Sequence, residues 1–486
     1  MFDIAGIAIS LILLIFLAYR GLSVLMLAPV LAVLAAAFAQ APLLATFTQI
    51  FMPTAGNFIA LLFPIFLLGA IFGKMMEASG SAAAIAHATT DWLGRSRAIL
   101  SIVLACALLT YGGVSLFVVA FAVYPIAAAL FREAGVPKRL IPATIALGAF
   151  TFTMTALPGT PAIQNVIPMP FFGTTPFAAP GIGIVAGAVM LAAGLAWLGY
   201  RERAARQAGE GYLSNPESAA AETVRRTIRE RAHGEGFDTA ELPPLDASEV
   251  EDQPGFARAI LPVALVVALN FLFLKLVIPA FDTEYLAEPP YGPATLASVQ
   301  GMWAIIAALT ASTLVVWALN TRRLVAPGET LSDGANASVL PIFNTAALVG
   351  FGAVIASLPA FAEIRDSILG VAPENPLISL AISVNVLAGI TGSASGGMGI
   401  ALQTLSATYL EMGAAAGITP ELLHRITTIA TGGLDALPHN GAVISLLTIC
   451  GLSHRESYAD IFVVAVLGPI LALVTAIILG SVFGAF

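Results

Sequence analysis

Two interrupted hydrophobic stretches, repeated once along the chain, constrain this sequence more than any other feature. The first pair is Leu109-Thr110-Tyr111-Gly112-Gly113-Val114-Ser115, followed downstream by Ala156-Leu157-Pro158-Gly159-Thr160-Pro161. The second is Ala388-Gly389-Ile390-Thr391-Gly392-Ser393-Ala394-Ser395-Gly396-Gly397, followed by Ala436-Leu437-Pro438-His439-Asn440-Gly441. Gly112 and Gly392 are 280 positions apart, and so are Pro158 and Pro438. Pro64-Ile65-Phe66 and Pro341-Ile342-Phe343 add a third match at an offset of 277. Three matches in one order at nearly one offset indicate a duplicated half. Paired Gly/Pro interruptions at corresponding places in two halves point to a transporter binding site.

The surrounding sequence is apolar enough for a membrane. Hydrophobic residues make up 58% of the 486 and charged residues 10%, against about 25% charged in a soluble domain. The runs are long and non-alternating, which favours helices over a barrel. A span needs about 20 apolar residues. Qualifying runs lie at 3–19, 22–39, 56–76, 139–170, 177–200, 257–280, 296–319, 339–359, 422–452 and 459–483, with 139–170 and 422–452 long and broken. Runs 98–131 and 377–409 are too short for two spans and too long for one. Each reads as a re-entrant helical hairpin with its Gly-rich motif at the tip.

Basic residues set the orientation. Placing Arg20, Lys74, Arg95, Arg97, Arg132, Lys138, Arg139, the Arg-rich 201–258 stretch, Arg322, Arg323 and Arg455 on the cytoplasmic side leaves only Lys275, Arg365 and Arg425 elsewhere. The positive-inside rule prefers this arrangement. It predicts both termini outside, and the second hairpin entering from the outside. Five crossings per half is an odd number, so the halves must be inverted. The expected organisation is therefore all-α: an N-terminal repeat at 1–200 (hairpin 98–131, broken helix 139–170), a cytoplasmic linker at 201–257, and a C-terminal repeat at 258–486 (hairpin 377–409, broken helix 422–452). The linker holds Arg225, Arg226, Arg229, Arg231 and Pro243-Pro244 and reads as a solvated tether. The first apolar run has no basic n-region or clear cleavage site, so it reads as a retained span.

Chemistry concentrates at the interruptions. Gly112-Gly113 and Gly392 with Gly396-Gly397 let the backbone turn. At membrane depth the unpaired groups of such a turn must face a protein cavity, and helix N-termini there suit an anion. Tyr111, Ser115, Thr391, Ser393 and Ser395 add hydroxyls. The competing structural reading is close helix contact through small residues. In the first broken span, the helix should stop near Ala156 and restart after Pro161. Thr155, Gly159 and Thr160 sit at that break, with Gln164 and Asn165 one turn on. In the second, Asp435 is the sharpest residue: a carboxylate inside a hydrophobic span is costly and by default functional. It is the expected proton carrier, with His439 sharing the proton and Asn440 beside it. The structural alternative pairs Asp435 with Arg425 or has it cap the half-helix after Pro438. His87 and His424 read as interfacial.

Other classes find no support. The net charge of −8 does not bear on nucleic acid, and no basic patch exists outside short loops that read as cytoplasmic. Cys106 and Cys450 both lie in apolar runs, so a disulfide framework is not expected. No metal-ligand cluster, no cofactor motif and no hydrolase motif is present. The chain reads as a carrier, not an enzyme.

Leu104–Phe121 (LACALLTYGGVSLFVVAF) and Leu147–Asn165 (LGAFTFTMTALPGTPAIQN) resemble the gluconate permease (GntP) family of the ion transporter superfamily. The resemblance covers most of the chain and is strongest over 55–180 and 385–450. It implies a proton-coupled importer of organic acids in a bacterial inner membrane. It further implies inverted repeats, a scaffold and a mobile domain, an elevator mechanism and a dimer. Carried onto this sequence, residues 111–115, 155–160, 391–396 and 435–440 would enclose the substrate. The apolar neighbours Val114, Leu116 and Phe117 at the first tip favour a short hydroxy- or keto-acid over gluconate itself. The alternatives on the same plan are a sodium-coupled carboxylate symporter and a sodium/proton antiporter.

Overall fold

The computed structural model describes residues 2–19, 22–212, 253–292, 294–372, 374–438 and 440–486. Arg20, the four linker arginines, Pro243-Pro244 and His439 lie outside them. The described residues form helices joined by loops, with no strand among them. In chain order the helices are α1 (Phe2–Tyr19), α2 (Val24–Phe38), α3 (Leu43–Ala78), α4 (Ser81–Leu93), α5 (Ala98–Tyr111), α6 (Leu116–Ala134), α7 (Ile141–Ala149), α8 (Phe152–Thr155), α9 (Ile163–Val166), α10 (Pro168–Phe172) and α11 (Pro180–Gln207). After the linker come α12 (Phe256–Ala280), α13 (Leu296–Leu319), α14 (Pro327–Ser357), α15 (Phe361–Leu369), α16 (Pro376–Thr391), α17 (Ala394–Ala415), α18 (Pro420–Leu434), α19 (Gly441–Ile449) and α20 (His454–Phe483). Helices α3, α11, α12, α13, α14 and α20 are each long and apolar enough to cross a membrane.

Local sequence explains most boundaries. Proline opens α11, α14, α16 and α18 within the first turn, where its missing N–H costs nothing. A Ser453/Glu456 capping box starts α20, satisfying two otherwise orphaned donors. Gly135 and Gly392 end α6 and α16 in the left-handed conformation, which a residue without Cβ adopts freely.

The packing is reciprocal between the two halves. Helices α3 and α14, which carry the matched Pro-Ile-Phe triplets, pack along each other. They approach closely because Gly334 lies against the Ile71 backbone, where a Cβ would come within 2.7 Å. Helix α2 packs on α14 while α13 packs on α3, and α1 pairs with α2 as α12 does with α13. The second hairpin arm of each half meets the far side of the other half's broken helix: α6 on α19, and α17 on α9 and α10. Helices α11 and α20 close the bundle.

Several features depart from the sequence expectation. Helices α4 and α15 occupy stretches to which the sequence assigned no element, and α3 and α14 begin at Leu43 and Pro327, well before the expected runs 56–76 and 339–359. The first broken span has an additional irregularity at Thr151 (φ −113°, ψ −113°), before the expected stop with Ala156 as C-cap. His424 is not interfacial: it is fully buried, because α18 runs through the protein interior, and its Nδ1 lies 2.6 Å from the Thr174 hydroxyl.

Candidate functional site

The two hairpins present their tips to one cavity of about 530 Å³. From the first tip, Gly113, Val114 and Ser115 line it; from the second, Ser393 and Ser395; from beyond the first break, Pro161 and Gln164. Helices α3 and α14 complete the wall. A smaller space of about 40 Å³ shares Gln164, Ser393 and Ser395 with this wall and adds Asp435 and Asn440. Residues far apart in the chain, and drawn from both interruptions of both halves, therefore converge.

Each tip is built so that a helix begins at the cavity. Gly113 (φ 95°) turns the first tip, and Gly392 (φ 61°) the second. Helix α6 starts with Ser115 as N-cap, whose side chain makes no capping bond. The first N–H groups of that helix have no intrahelical acceptor, and Ser115 does not supply one in its place. Helix α17 starts with Ser393, whose hydroxyl accepts from the Gly396 N–H at 3.2 Å. Ser395 Oγ lies 3.4 Å from Ser393 Oγ and 3.3 Å from Thr345 Oγ1. The second tip is a linked set of hydroxyls anchored to α14.

The remaining sequence-predicted residues hold the wall in shape, all but Asn440 from behind it. Tyr111 donates its hydroxyl to the Pro158 carbonyl at 2.8 Å. Gly112 packs against Val263 and Gly159 against Phe177, each where a Cβ would collide. Gly396 does the same against Leu348. Thr155 bonds the Thr151 carbonyl, and Thr391 the Leu387 carbonyl. The Thr160 hydroxyl accepts from the Ala162 N–H. Asn165 donates to the Thr160 and Pro176 carbonyls and accepts from Arg425. Asn440 donates to the Gly392 carbonyl and caps α19 through the Val443 N–H.

Arg425 does not neutralise Asp435. The guanidinium donates to the Ala178 carbonyl at 2.8 and 2.9 Å and to Asn165 Oδ1 at 3.1 Å. It fastens the 173–179 loop behind the first break. Asp435 itself is the C-cap of α18 and is 8% exposed.

Sequence reasoning missed the contribution of α3 and α14. Lys74 and Glu77 of α3, an ion pair at 3.4 Å, are the charged residues on the wall of the larger cavity. Asn344 and Thr345 of α14 also line it. The available signal was the third repeat match: Pro341-Ile342-Phe343 immediately precedes Asn344. It marked the duplication, and nothing in the triplet itself carries polar chemistry.

The fold and this cavity define a multi-pass helical membrane protein with an internal site of small-molecule size. The chain matches the GntP family permease profile over residues 2–436. It is 44% identical over 473 residues to the "Uncharacterized transporter YxjC" of Bacillus subtilis (strain 168), with 95% of each chain covered. The chain belongs to the GntP permease family and is a transporter, not an enzyme.

Proposed function

We propose that this transporter carries a small organic acid anion inward with a proton across the bacterial plasma membrane. The observation that supports this reading best is the convergence of both hairpin tips on one cavity, with Asp435 in a space sharing five of its wall residues, Leu116, Met154, Gln164, Ser393 and Ser395. The volume suits a small ligand. Two helix N-termini at the cavity offer N–H donors and partial positive charge, which favour a carboxylate. Asp435 beside them supplies a proton-binding carboxyl in addition to Glu77, which is paired with Lys74 on the cavity wall. With the substrate bound at the tips, a proton on Asp435 leaves the loaded site with one negative charge fewer than it would carry with Asp435 ionised.

The reciprocal packing supports two repeats related by a two-fold axis, since such an axis makes each contact occur twice with partners exchanged. On this reading residues 1–200 and 258–486 are inverted repeats. The hairpins and broken helices form the mobile body of an elevator; α1–α3 and α12–α14 form the scaffold, which also serves as the dimer face. The 201–257 linker lies in the cytoplasm and both termini outside.

Uptake by proteoliposomes tests the coupling. Labelled short hydroxy- and keto-acids should accumulate when the outside is acidified, and a protonophore should abolish accumulation. Uptake that needs sodium, and vanishes when choline replaces it, would instead establish the sodium-coupled alternative.

A further inference from the structure

We infer that Asn344 is a substrate-recognition residue that reads an uncharged hydroxyl of the transported acid. The inference rests on the carboxylate-carrier reading above and adds to it the neutral part of the substrate.

Asn344 sits in the middle of α14 and is 5% exposed, and both its amide atoms lack a hydrogen-bond partner among the described residues. Buried side-chain amides are normally satisfied, and exceptions gather at functional sites. The other buried asparagines of this protein follow the rule at one end at least. Asn165, Asn385 and Asn440 use both ends of the amide. Asn270 and Asn320 use the nitrogen. Only Asn344, which lies on the cavity wall, uses neither among the described residues.

Two neighbouring observations point the same way. Thr110, one turn before the first tip, also lines the cavity, is 3% exposed, and has a hydroxyl without a partner among the described residues. A helical threonine ordinarily bonds the carbonyl four residues back, as Thr345 and Thr404 do here. Pro341 lies one turn before Asn344 and has no N–H to offer the Ala337 carbonyl. Ala337 and Ser338 are both on the wall. This side of the cavity thus combines an unused amide with a carbonyl deprived of its helical donor.

The chemistry selects the ligand group. A carboxylate only accepts, so it would satisfy the amide nitrogen and repel the amide oxygen. A hydroxyl donates and accepts, and so pairs with both ends of an asparagine. The tips take the charged end of the substrate, and α14 takes a hydroxyl.

The test uses full-length purified protein and the Asn344→Leu variant. The thermal midpoint without ligand comes first. Replacing an amide that has no protein partner by an apolar group of similar size should leave the midpoint unchanged or raise it by a few degrees. A fall of more than about 5 °C would show that the amide braces the fold and would overturn the inference. Uptake of matched acid pairs, each a 2-hydroxy acid and its deoxy analogue, comes second. The variant's KM should rise about 10-fold for the hydroxy acid and stay near the wild-type value for the deoxy acid. Equal loss on both members, or on neither, would also overturn it. A wild-type protein that takes up no acid sinks the carboxylate reading, and Asn344 is then judged on the midpoint alone.

Discussion

Asn440 donates its side-chain amide to the Gly392 carbonyl at 2.9 Å, fastening the break of the second interrupted helix to the tip of the second hairpin. Tyr111 makes the corresponding tie in the first half, its hydroxyl donating to the Pro158 carbonyl at 2.8 Å. Different side chains thus join places that correspond 280 residues apart. In each half the tip and the break are held together as a unit.

Removing these ties should loosen the site before it unfolds the protein. Tyr111→Phe leaves the Pro158 carbonyl without its donor, at a cost of about 1–3 kcal/mol. Asn440→Ala loses a tip contact and a helix cap together, so its cost should be larger by about 1 kcal/mol. The thermal midpoint of each purified variant should fall in that order, and substrate uptake should fall with it. A wild-type midpoint for Asn440→Ala would mean that tip and break are not coupled through this bond.

Asp435→Asn tests the proton. The amide keeps the size of the side chain and cannot cycle between charged and neutral. Accumulation driven by a pH gradient should be lost, while exchange of labelled for unlabelled acid across the membrane should continue. If the variant still concentrates substrate on a proton gradient, Asp435 is not the coupling group.

Much of this arrangement was legible in the sequence, because backbone interruptions have few possible causes. A Gly-rich turn or a proline pair inside an apolar run leaves unpaired polar groups that must be covered by protein. That logic located the hairpin tips and both breaks. It did not separate residues that line the cavity, such as Ser115, Gln164, Ser393 and Ser395, from those that hold the wall from behind, such as Thr155, Thr160, Asn165 and Thr391. Both kinds are small polar residues at the same interruptions, and only the direction of each side chain distinguishes them. Asn344 was not read: the Pro341-Ile342-Phe343 match beside it marked the duplication, and nothing in that triplet carries polar chemistry.

Gly397→Ala should separate the arms of the second hairpin. A Cβ there would lie 2.3 Å from Ala388 N and Cα, closer than backbone atoms can yield without moving α16 from α17. The variant should express poorly or lose at least 10-fold in uptake, a cost on the order of 1–3 kcal/mol. Gly56→Ala is the control, since nothing lies within 4 Å of its added methyl. It also replaces glycine within a helix by the better helix former. Equal behaviour of the two variants would show that the arms tolerate separation.

Arg425 should prove a structural clamp whose planar fork matters more than its charge. It is completely buried, and two of its nitrogens converge on the Ala178 carbonyl. The next residue, Ala179, has φ 38°, a left-handed conformation that is unfavourable for a side chain bearing a Cβ. The guanidinium therefore holds the turn that leads into α11. Lysine presents a single point charge and cannot span Ala178 and Asn165 together, so Arg425→Lys should cost on the order of 3 kcal/mol. Arg425→Met should cost a similar amount, because it removes the buried charge but leaves the same carbonyls unpaired. Adding Ala179→Gly should restore about 1 kcal/mol to either variant by relieving the strained turn. Size-exclusion profiles and thermal midpoints of these four variants and the wild type would decide the matter. If Arg425→Lys matches the wild type while Arg425→Met does not, charge rather than geometry is the essential property.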